Sequence, residues 1–401
     1  MNNYKEILEL DQMANKQGKR YPHRRYLFNP IQKFIIEPAK HLKGIIGPRG
    51  VGKTILLKQI RSENDSSIYI SLDSISLDID LFNLIKDISD KFNISLFLLD
   101  EVHFIDDYSL MLKKIYDFLN VKVIFTSSVS LSLYESAYDL SRRVKLLHLY
   151  PFSFRKYLFF KHKIKLPALT MGDIINQKWQ SDHLKYGYYF EDYLQGGLYP
   201  FSLVEPDVLD FLKNVIKKVI RKDIPKTASL KIEELEKIEK VIEFISKSQV
   251  DGINYSTVSQ NIGITKYKAE QYLKLLEKAF ILFLIFPKGT NVLKEPKVLI
   301  YPPYRLLYKD YNFAIGGLRE DIFSLFMKLR GIKFSYLKSK RGAKTPDFLV
   351  KLNGDKIVAE IGGKGKGRTQ FKDIQYDKKI IFSHSDKIGK IRRPLYLLGY
   401  C

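Results

Sequence analysis

The stretch that decides the fold is Gly47-Pro48-Arg49-Gly50-Val51-Gly52-Lys53-Thr54, which matches the pattern G-x-x-x-x-G-K-[ST] at every fixed position. An apolar run at 42–46 precedes it and predicts a strand, and residues 54–60 can open a helix. Glycines let successive backbone N–H groups curl around a phosphate, and the helix N-terminus adds its dipole. Lys53 would then reach the β- and γ-phosphates, and the Thr54 hydroxyl would ligate Mg²⁺. Residues 47–54 therefore predict a site for ATP and Mg²⁺.

Apolar runs continue on both sides of the helical stretches that follow this loop. They lie at 42–46, 68–72, 94–99, 121–125 and 144–149. Continuous apolar runs separated by helices are typical of a parallel sheet that is buried on both faces. The sequence predicts an α/β domain of the P-loop NTPase kind, with a parallel sheet and flanking helices.

Polar residues follow two of these predicted strands. Asp100 and Glu101 end the run at 94–99, at the strand edge where ligands bind in open α/β sheets. Asp100 would hold Mg²⁺, and Glu101 would polarise the attacking water. Thr126 and Ser127 follow the run at 121–125 and would contact the γ-phosphate or orient the water. Hydroxyls that merely cap a helix are the alternative.

The positive charge of the chain is concentrated at one end. Its 401 residues hold 67 Lys and Arg against 44 Asp and Glu, a net charge of +23. Residues 301–401 hold 22 of these cations and 9 of the anions, a net of +13. Such a field favours polyanions and makes their binding salt-dependent. We expect a nucleic acid partner, with DNA favoured over RNA, in the C-terminal region.

Composition also excludes several classes of protein. Hydrophobic residues make up 45% of the chain, which excludes a disordered or collagen-like protein. The only cysteine, Cys401, allows neither a disulfide framework nor a Cys-based metal site. The first twelve residues, MNNYKEILELDQ, are unlike a signal peptide, and the longest apolar run, 279–286, is too short to span a bilayer. A cytoplasmic protein without a membrane partner is the expectation.

The P-loop, the Asp100-Glu101 pair and the polar strand end at 126–128 resemble the AAA+ branch of P-loop ATPases. More narrowly, they are similar to a prokaryotic group that joins such an ATPase to a C-terminal domain of restriction-endonuclease-like fold. Residues 140–144, 149–154 and 190–200 fit that group as well. The resemblance implies a homo-oligomer in which Arg142, or its neighbour Arg143, reaches the γ-phosphate of an adjacent subunit. A surface arginine pair is the alternative.

Five regions follow from these patterns. They are a leader at 1–40, an AAA+-like core at 41–150, a helical region at 151–228, a winged-helix-like domain at 229–290 and a basic, mixed α/β endonuclease-like domain at 291–401.

The winged-helix-like domain is predicted from a helix-turn-helix pattern. Ser256 would cap a helix through 262, Gly263-Ile264 would turn the chain, and Thr265 would cap a second helix to about 278. A strand at 281–286 follows. The second helix would offer Lys266, Lys268 and Gln271 to nucleic acid, unless the domain serves only for packing or for a protein partner.

Two carboxylates of the C-terminal domain, Asp347 and Glu360, flank a hairpin predicted at Asn353-Gly354. Their order resembles the endonuclease motif Asp…Glu-x-Lys, with Glu320 as a helical acid, and such carboxylates can share Mg²⁺. Gly362 stands at the lysine position, and Lys364 has the wrong spacing to replace a lysine there.

The glycine-rich stretch 362–368 carries the further candidate phosphate contacts Lys366 and Arg368. We therefore expect binding of nucleic acid without cleavage, on an ATPase whose turnover is coupled to that binding. A nucleotide-gated interaction protein with little turnover and a metal-dependent DNA nuclease are the alternatives.

Overall fold

A computed structural model gives the structure of the protein. It describes residues 2–38, 41–74, 80–129, 140, 142–226, 228, 230–288, 295–337, 345–362 and 376–401. The chain forms two compact units. The first comprises Met1–Tyr150 and Lys218–Leu230, and the second comprises Pro151–Lys217 and Lys231–Cys401.

The first unit is built on a five-stranded parallel sheet. Its strands are β1 (Leu42–Ile46), β2 (Ser67–Ser71), β3 (Leu96–Asp100), β4 (Lys122–Ser127) and β5 (Val144–His148). They lie in the order β2-β3-β4-β1-β5, and every neighbouring pair is parallel. The prediction of an α/β domain with a parallel sheet is confirmed, and each predicted apolar run contributes one strand.

Helices surround this sheet. They are α1 (Asn2–Lys19), α2 (Phe28–Ile36), α3 (Lys53–Arg61), α4 (Leu81–Phe92) and α5 (Tyr108–Phe118), with a short 3₁₀ helix at Val102–Phe104 and a π-helical turn at Val219–Asp223. Their apolar faces account for the packing: α4 begins after Asp80, whose carboxylate accepts from the Phe82 N–H at 3.0 Å. Burying each Leu or Ile of such a face contributes about 1.5–3 kcal/mol.

The predicted leader at 1–40 is an integral part of the first unit. Asp11 of α1 is buried and accepts from Arg61 of α3 through Nε at 2.6 Å and Nη2 at 2.8 Å. The same carboxylate accepts from the Tyr69 N–H of β2 at 2.7 Å. A bidentate pair that also satisfies a strand amide fixes α1 against the sheet and the helix that follows the phosphate loop.

The second unit contains helices and two sheets. Its helices are α6 (Phe154–His162), α7 (Met171–Ile175), α8 (Ser181–Lys185), α9 (Val208–Lys218), α10 (Ile232–Lys247), α11 (Tyr255–Ile262), α12 (Lys266–Lys278) and α13 (Tyr311–Leu329). Its strands are β6 (Leu282–Ile285), β7 (Lys297–Ile300), β8 (Phe334–Tyr336), β9 (Phe348–Leu352), β10 (Asp355–Gly362), β11 (Lys378–Ser383) and β12 (Arg392–Pro394). Shorter helical turns lie at Gly187–Tyr189, Phe190–Asp192, Tyr193–Gly197, Pro200–Leu203, Tyr304–Leu307 and Leu395–Gly399.

The larger sheet of this unit is mixed. The order is β12-β11-β10-β9-β8, with β10, β11 and β12 parallel and β8, β9 and β10 antiparallel. The hairpin predicted at Asn353-Gly354 joins β9 to β10, and both turn residues have positive φ, 50° and 91°. These angles are those of a type I′ turn, which Asn-Gly favours.

The predicted helix-turn-helix is present as α11, Gly263 in the left-handed region at φ 70°, and α12 capped by Thr265. The predicted cap of the first helix was wrong. Asn254 caps α11 by accepting from the Thr257 N–H at 3.0 Å, because the Ser256 hydroxyl instead donates to Glu295 at 2.6 Å. β6 and β7 then form an antiparallel pair. Within the described residues, no helix is both long and apolar enough to cross a membrane.

Candidate active site

The loop between β1 and α3 has the conformation that a phosphate cradle requires. Gly50 and Gly52 have φ of 89° and 91°, where residues with a Cβ are strained. A Cβ on Gly47 would lie 2.1 Å from the Leu149 carbonyl oxygen. Gly52 begins α3 without a side-chain cap, so the amides of the first turn stay available to an anion. The loop therefore fits a nucleotide phosphate.

Lys53 is buried within this loop. Its Nζ donates to the carbonyl oxygens of Gly47 at 3.0 Å and Pro48 at 3.3 Å. Burial lowers the pKa of Lys53, while the charges of Glu101 and Asp100 oppose that shift. An amine held at the mouth of the loop is placed to contact β- and γ-phosphates.

Asp100 ends β3 as a buried carboxylate. It accepts hydrogen bonds from the Thr126 hydroxyl and, at 2.8 Å, from the Tyr69 hydroxyl. Burial and the charge of Glu101 raise the pKa of Asp100, whereas hydrogen bonds from Thr126, Thr54 and Tyr69 lower it. Thr54 and Asp100 are thus neighbours, as predicted for two Mg²⁺ ligands. Hydroxyl and carboxylate oxygens are the ligands that Mg²⁺ prefers, so these residues fit the ion.

Glu101 has an unusual backbone for a residue with a side chain, with φ at 54°. Its N–H donates to the Thr126 hydroxyl at 2.9 Å, and its Oε2 accepts from the Ser128 N–H at 3.0 Å. A strained backbone held by its neighbours is common at functional sites. The Thr126 hydroxyl therefore holds both acidic residues in place.

The other predicted hydroxyl, that of Ser127, donates to the Val129 carbonyl at 2.6 Å and lies 3.3 Å from His103 Nδ1. Both Thr126 and Ser127 are buried, with their hydroxyls engaged inside the protein. Their contact with nucleotide remains a prediction.

Three residues that sequence reasoning missed complete the surroundings of the loop. Asp223 is buried and accepts from Arg49 Nη1 at 2.7 and 3.0 Å and from the Ser128 hydroxyl at 3.0 Å. His103 lies between two carboxylates, with Nδ1 3.4 Å from Glu101 Oε2 and Nε2 4.0 Å from Asp223 Oδ1. Burial raises the pKa of Asp223, but His103 and Arg49 more than offset this and lower it overall.

Arg25 of the N-terminal basic segment is the third missed residue. It is buried and donates to the carbonyls of Val51 at 2.6 Å and Tyr150 at 2.5 Å, and burial lowers its pKa to about 10. The cluster of cations at 19–25 is the sequence signal that points to it. Nothing in the sequence connects Asp223 or His103 with the loop.

The two arginines after the sheet behave differently. Arg142 is exposed. Arg143 binds Asp117 of the same unit, through Nε at 2.9 Å and Nη2 at 3.1 Å. Arg142 is therefore the better candidate for contact with a neighbouring subunit, and that role remains a prediction.

Two of the predicted nuclease-like residues of the second unit come close together. Burial, together with the charge of Asp347, raises the pKa of Glu320 to about 7, although Lys297 opposes this. Lys297 Nζ lies 2.6 Å from Glu320 Oε2, and Asp347 Oδ2 accepts from the Ile361 N–H at 2.7 Å. Glu360 is buried in β10.

The lysine missing at Gly362 therefore has a counterpart in Lys297 of β7, which no motif spacing could indicate. Within the described residues, no three His, Cys, Asp or Glu side chains come together as a metal centre. Lys364, Lys366 and Arg368 lie outside the described residues.

The predicted nucleic-acid contacts of α12 are partly engaged elsewhere. Lys266 pairs with Glu295, and Lys268 pairs with Glu234. Gln271 is exposed, as is the neighbouring Tyr267, whose side chain is 68% accessible. The face is polar and accessible, but its lysine charges are largely balanced.

Comparison with known proteins assigns the first of these sites to a family. The model of the AAA domain family matches residues 39–158, and a domain of unknown function, DUF8612, matches residues 188–301. The solved structure of C. elegans PCH-2 is similar over 68% of this chain and 67% of its own, at 16% identity. Its TM-score is 0.24, which supports no argument.

A full-length relative is more informative. The uncharacterized protein MJ1637 of Methanocaldococcus jannaschii is 31% identical over 400 residues, which are 90% of this chain and 84% of that protein. An AAA domain explains the parallel sheet, the phosphate loop and the Asp100-Glu101 pair. The chain therefore belongs to the same family as MJ1637 and carries an AAA-type P-loop ATPase domain in its N-terminal part.

Proposed function

We propose that the protein is a Mg²⁺-dependent ATPase whose turnover is coupled to nucleic acid binding. The observation that carries the ATPase part is the convergence of Lys53, Thr54, Asp100 and Glu101 at one sheet edge. Bound Mg²⁺ would neutralise charge on the phosphates. Lys53 binds the β- and γ-phosphates, Thr54 and Asp100 hold the ion, and Glu101 accepts the proton of the attacking water.

The steady-state rate of ATP hydrolysis tests this assignment. Lys53→Ala removes the amine that contacts the phosphates, so hydrolysis is expected to fall to background while the circular dichroism spectrum is unchanged. Arg142→Ala mixed with Lys53→Ala then tests the homo-oligomer. If Arg142 completes a neighbour's site, the mixture recovers hydrolysis that neither variant has alone; if each subunit works by itself, the mixture stays inactive.

The nucleic acid part of the proposal rests on charge. The C-terminal 101 residues carry a net charge of +13, and α12 presents Tyr267 and Gln271 to solvent. Aromatic and amide side chains suit stacking and base edges, and the cations suit phosphates. Paired lysines weaken the contribution of α12, so the basic stretch at 362–368 is proposed as the stronger contact.

Fluorescence anisotropy with a labelled DNA duplex and single strand measures this binding. Lys366→Ala with Arg368→Ala is expected to weaken binding and reduce the salt slope by about two contacts. Lys86→Ala, an exposed lysine of the first unit, is the matched control and leaves both unchanged. DNA that neither binds nor changes the ATPase rate would contradict the coupling.

Two alternative outcomes lead to different functions. ATP that stays bound with negligible turnover indicates a nucleotide-gated interaction protein. Mg²⁺-dependent nicking of a plasmid that Asp347→Ala abolishes indicates a nuclease. The pairing of Lys297 with Glu320 disfavours the nuclease, because it occupies one carboxylate that a metal would need.

A further inference from the structure

We propose that Asp223 is a positioning residue that controls the orientation of Glu101 through His103, in response to the contact between Arg49 and the bound nucleotide. The inference rests on the proposed ATPase function and adds a regulatory link inside that site. All four residues belong to the first unit.

The first step of the argument concerns His103. Its ring lies between Glu101 at 3.4 Å and Asp223 at 4.0 Å, and its exposed fraction is 3%. Nε2 is buried and has no hydrogen-bond partner in the described part of the chain. A neutral imidazole carries one N–H, so it can donate to only one carboxylate at a time. In the described conformation the nearer carboxylate is that of Glu101.

The second step concerns Asp223. Arg49 supplies two of its hydrogen bonds, at 2.7 and 3.0 Å, and the Ser128 hydroxyl supplies a third at 3.0 Å. A buried carboxylate that loses such a partner is strongly destabilised until it finds another donor. The nearest additional donor position is Nε2 of His103, and a shift of about 1 Å brings it into hydrogen-bond range. Asp223 is therefore poised to attract His103 once Arg49 leaves.

The third step concerns the trigger. Arg49 lies in the phosphate loop itself, between Gly47 and Gly50. Phosphate groups present more negative charge than one carboxylate and accept guanidinium hydrogen bonds well. When ATP binds, Arg49 exchanges Asp223 for phosphate, Asp223 takes His103, and Glu101 is released to face the attacking water. The single π-helical turn that ends at Asp223 is of a kind often found at functional sites.

The test uses kinetics in two backgrounds. Asp223→Asn keeps the shape but weakens the attraction for His103, so kcat is expected to fall by up to about 100-fold. The Kd for ATP is expected to stay the same or become tighter, because Arg49 is freed for phosphate. His103→Phe keeps a ring and removes both nitrogens. If Asp223 acts through His103, Asp223→Asn lowers kcat by less than about twofold in that background.

A merely structural role would give a different result. It predicts that Asp223→Asn lowers kcat by the same factor in both backgrounds, or that it leaves kcat unchanged in the wild type. Either result overturns the inference. Asp106→Asn is the matched control, since this exposed carboxylate contacts Lys226 of the same segment at 3.7 Å and is expected to leave kcat unchanged.

Hydrogen exchange separates this inference from the proposed function and does not require any variant to fold. ATP is expected to reduce amide protection at 218–226 in the wild type, because Arg49 releases Asp223. Protein that binds ATP without hydrolysing it contradicts the ATPase. The exchange data then decide the inference alone: a change at 218–226 supports it, and unchanged protection there overturns it.

Discussion

The ion pair between Arg49 and Asp223 allows a stability prediction whose size follows from the geometry. Arg49→Ala removes the guanidinium and two of the three hydrogen bonds that Asp223 accepts. Asp223 is 0% exposed, so water cannot replace the lost partner. Truncating one member of a buried pair costs about 3–5 kcal/mol. Because the Arg49 side chain is itself 15% exposed, the lower end, about 3 kcal/mol, is expected.

Hydrogen exchange measured across a urea series reports this loss, read from peptides that cover β4 in the first unit. The double variant Arg49→Ala/Asp223→Ala is expected to recover much of the stability, since no buried charge is left unpaired. Arg142→Ala, which removes an exposed arginine, stays within about 0.5 kcal/mol of the wild type. A loss below about 0.5 kcal/mol for Arg49→Ala would refute the reasoning.

Three further predictions concern other parts of the chain. Gly47→Ala places a Cβ 2.1 Å from the Leu149 carbonyl, so the loop must shift and ATP binding, measured by titration calorimetry, is expected to be lost. The pKa of Glu320, about 7, exceeds the unfolded value of about 4.3, so the folded second unit binds more protons between these values. Its stability to urea therefore rises as pH falls from 7 towards 4.3, and Glu320→Gln flattens that slope. Asp11→Ala leaves Arg61 without its bidentate partner and is expected to destabilise the first unit by about 1.5–3 kcal/mol in urea; an unchanged midpoint would show that α1 is dispensable.

Local patterns in the sequence predicted the phosphate site well. The loop at 47–54, the strand before it and the acidic pair at 100–101 lie close together in the chain or at corresponding strand ends. The rules of parallel sheets therefore bring them to one edge. The Asn353-Gly354 hairpin is similarly local, because two residues with positive φ determine its turn.

The residues that sequence reasoning missed depend on tertiary contacts. Asp223 reaches the loop through a segment distant in the chain, and Lys297 reaches Glu320 from a strand outside any endonuclease motif. Ser256 failed as a cap because a more distant carboxylate, Glu295, takes its hydroxyl. In each case a long-range polar pairing decided the outcome, and periodicity carries no information about such pairings.

The most direct test of the central claim compares the ATPase rate and the ATP affinity of the wild type with those of Glu101→Gln. The amide is nearly isosteric but cannot accept the proton of the attacking water. Hydrolysis is expected to fall by at least about 100-fold while ATP still binds with wild-type affinity. Wild-type hydrolysis in Glu101→Gln, or a wild-type protein that binds no ATP, would contradict the assignment of this site.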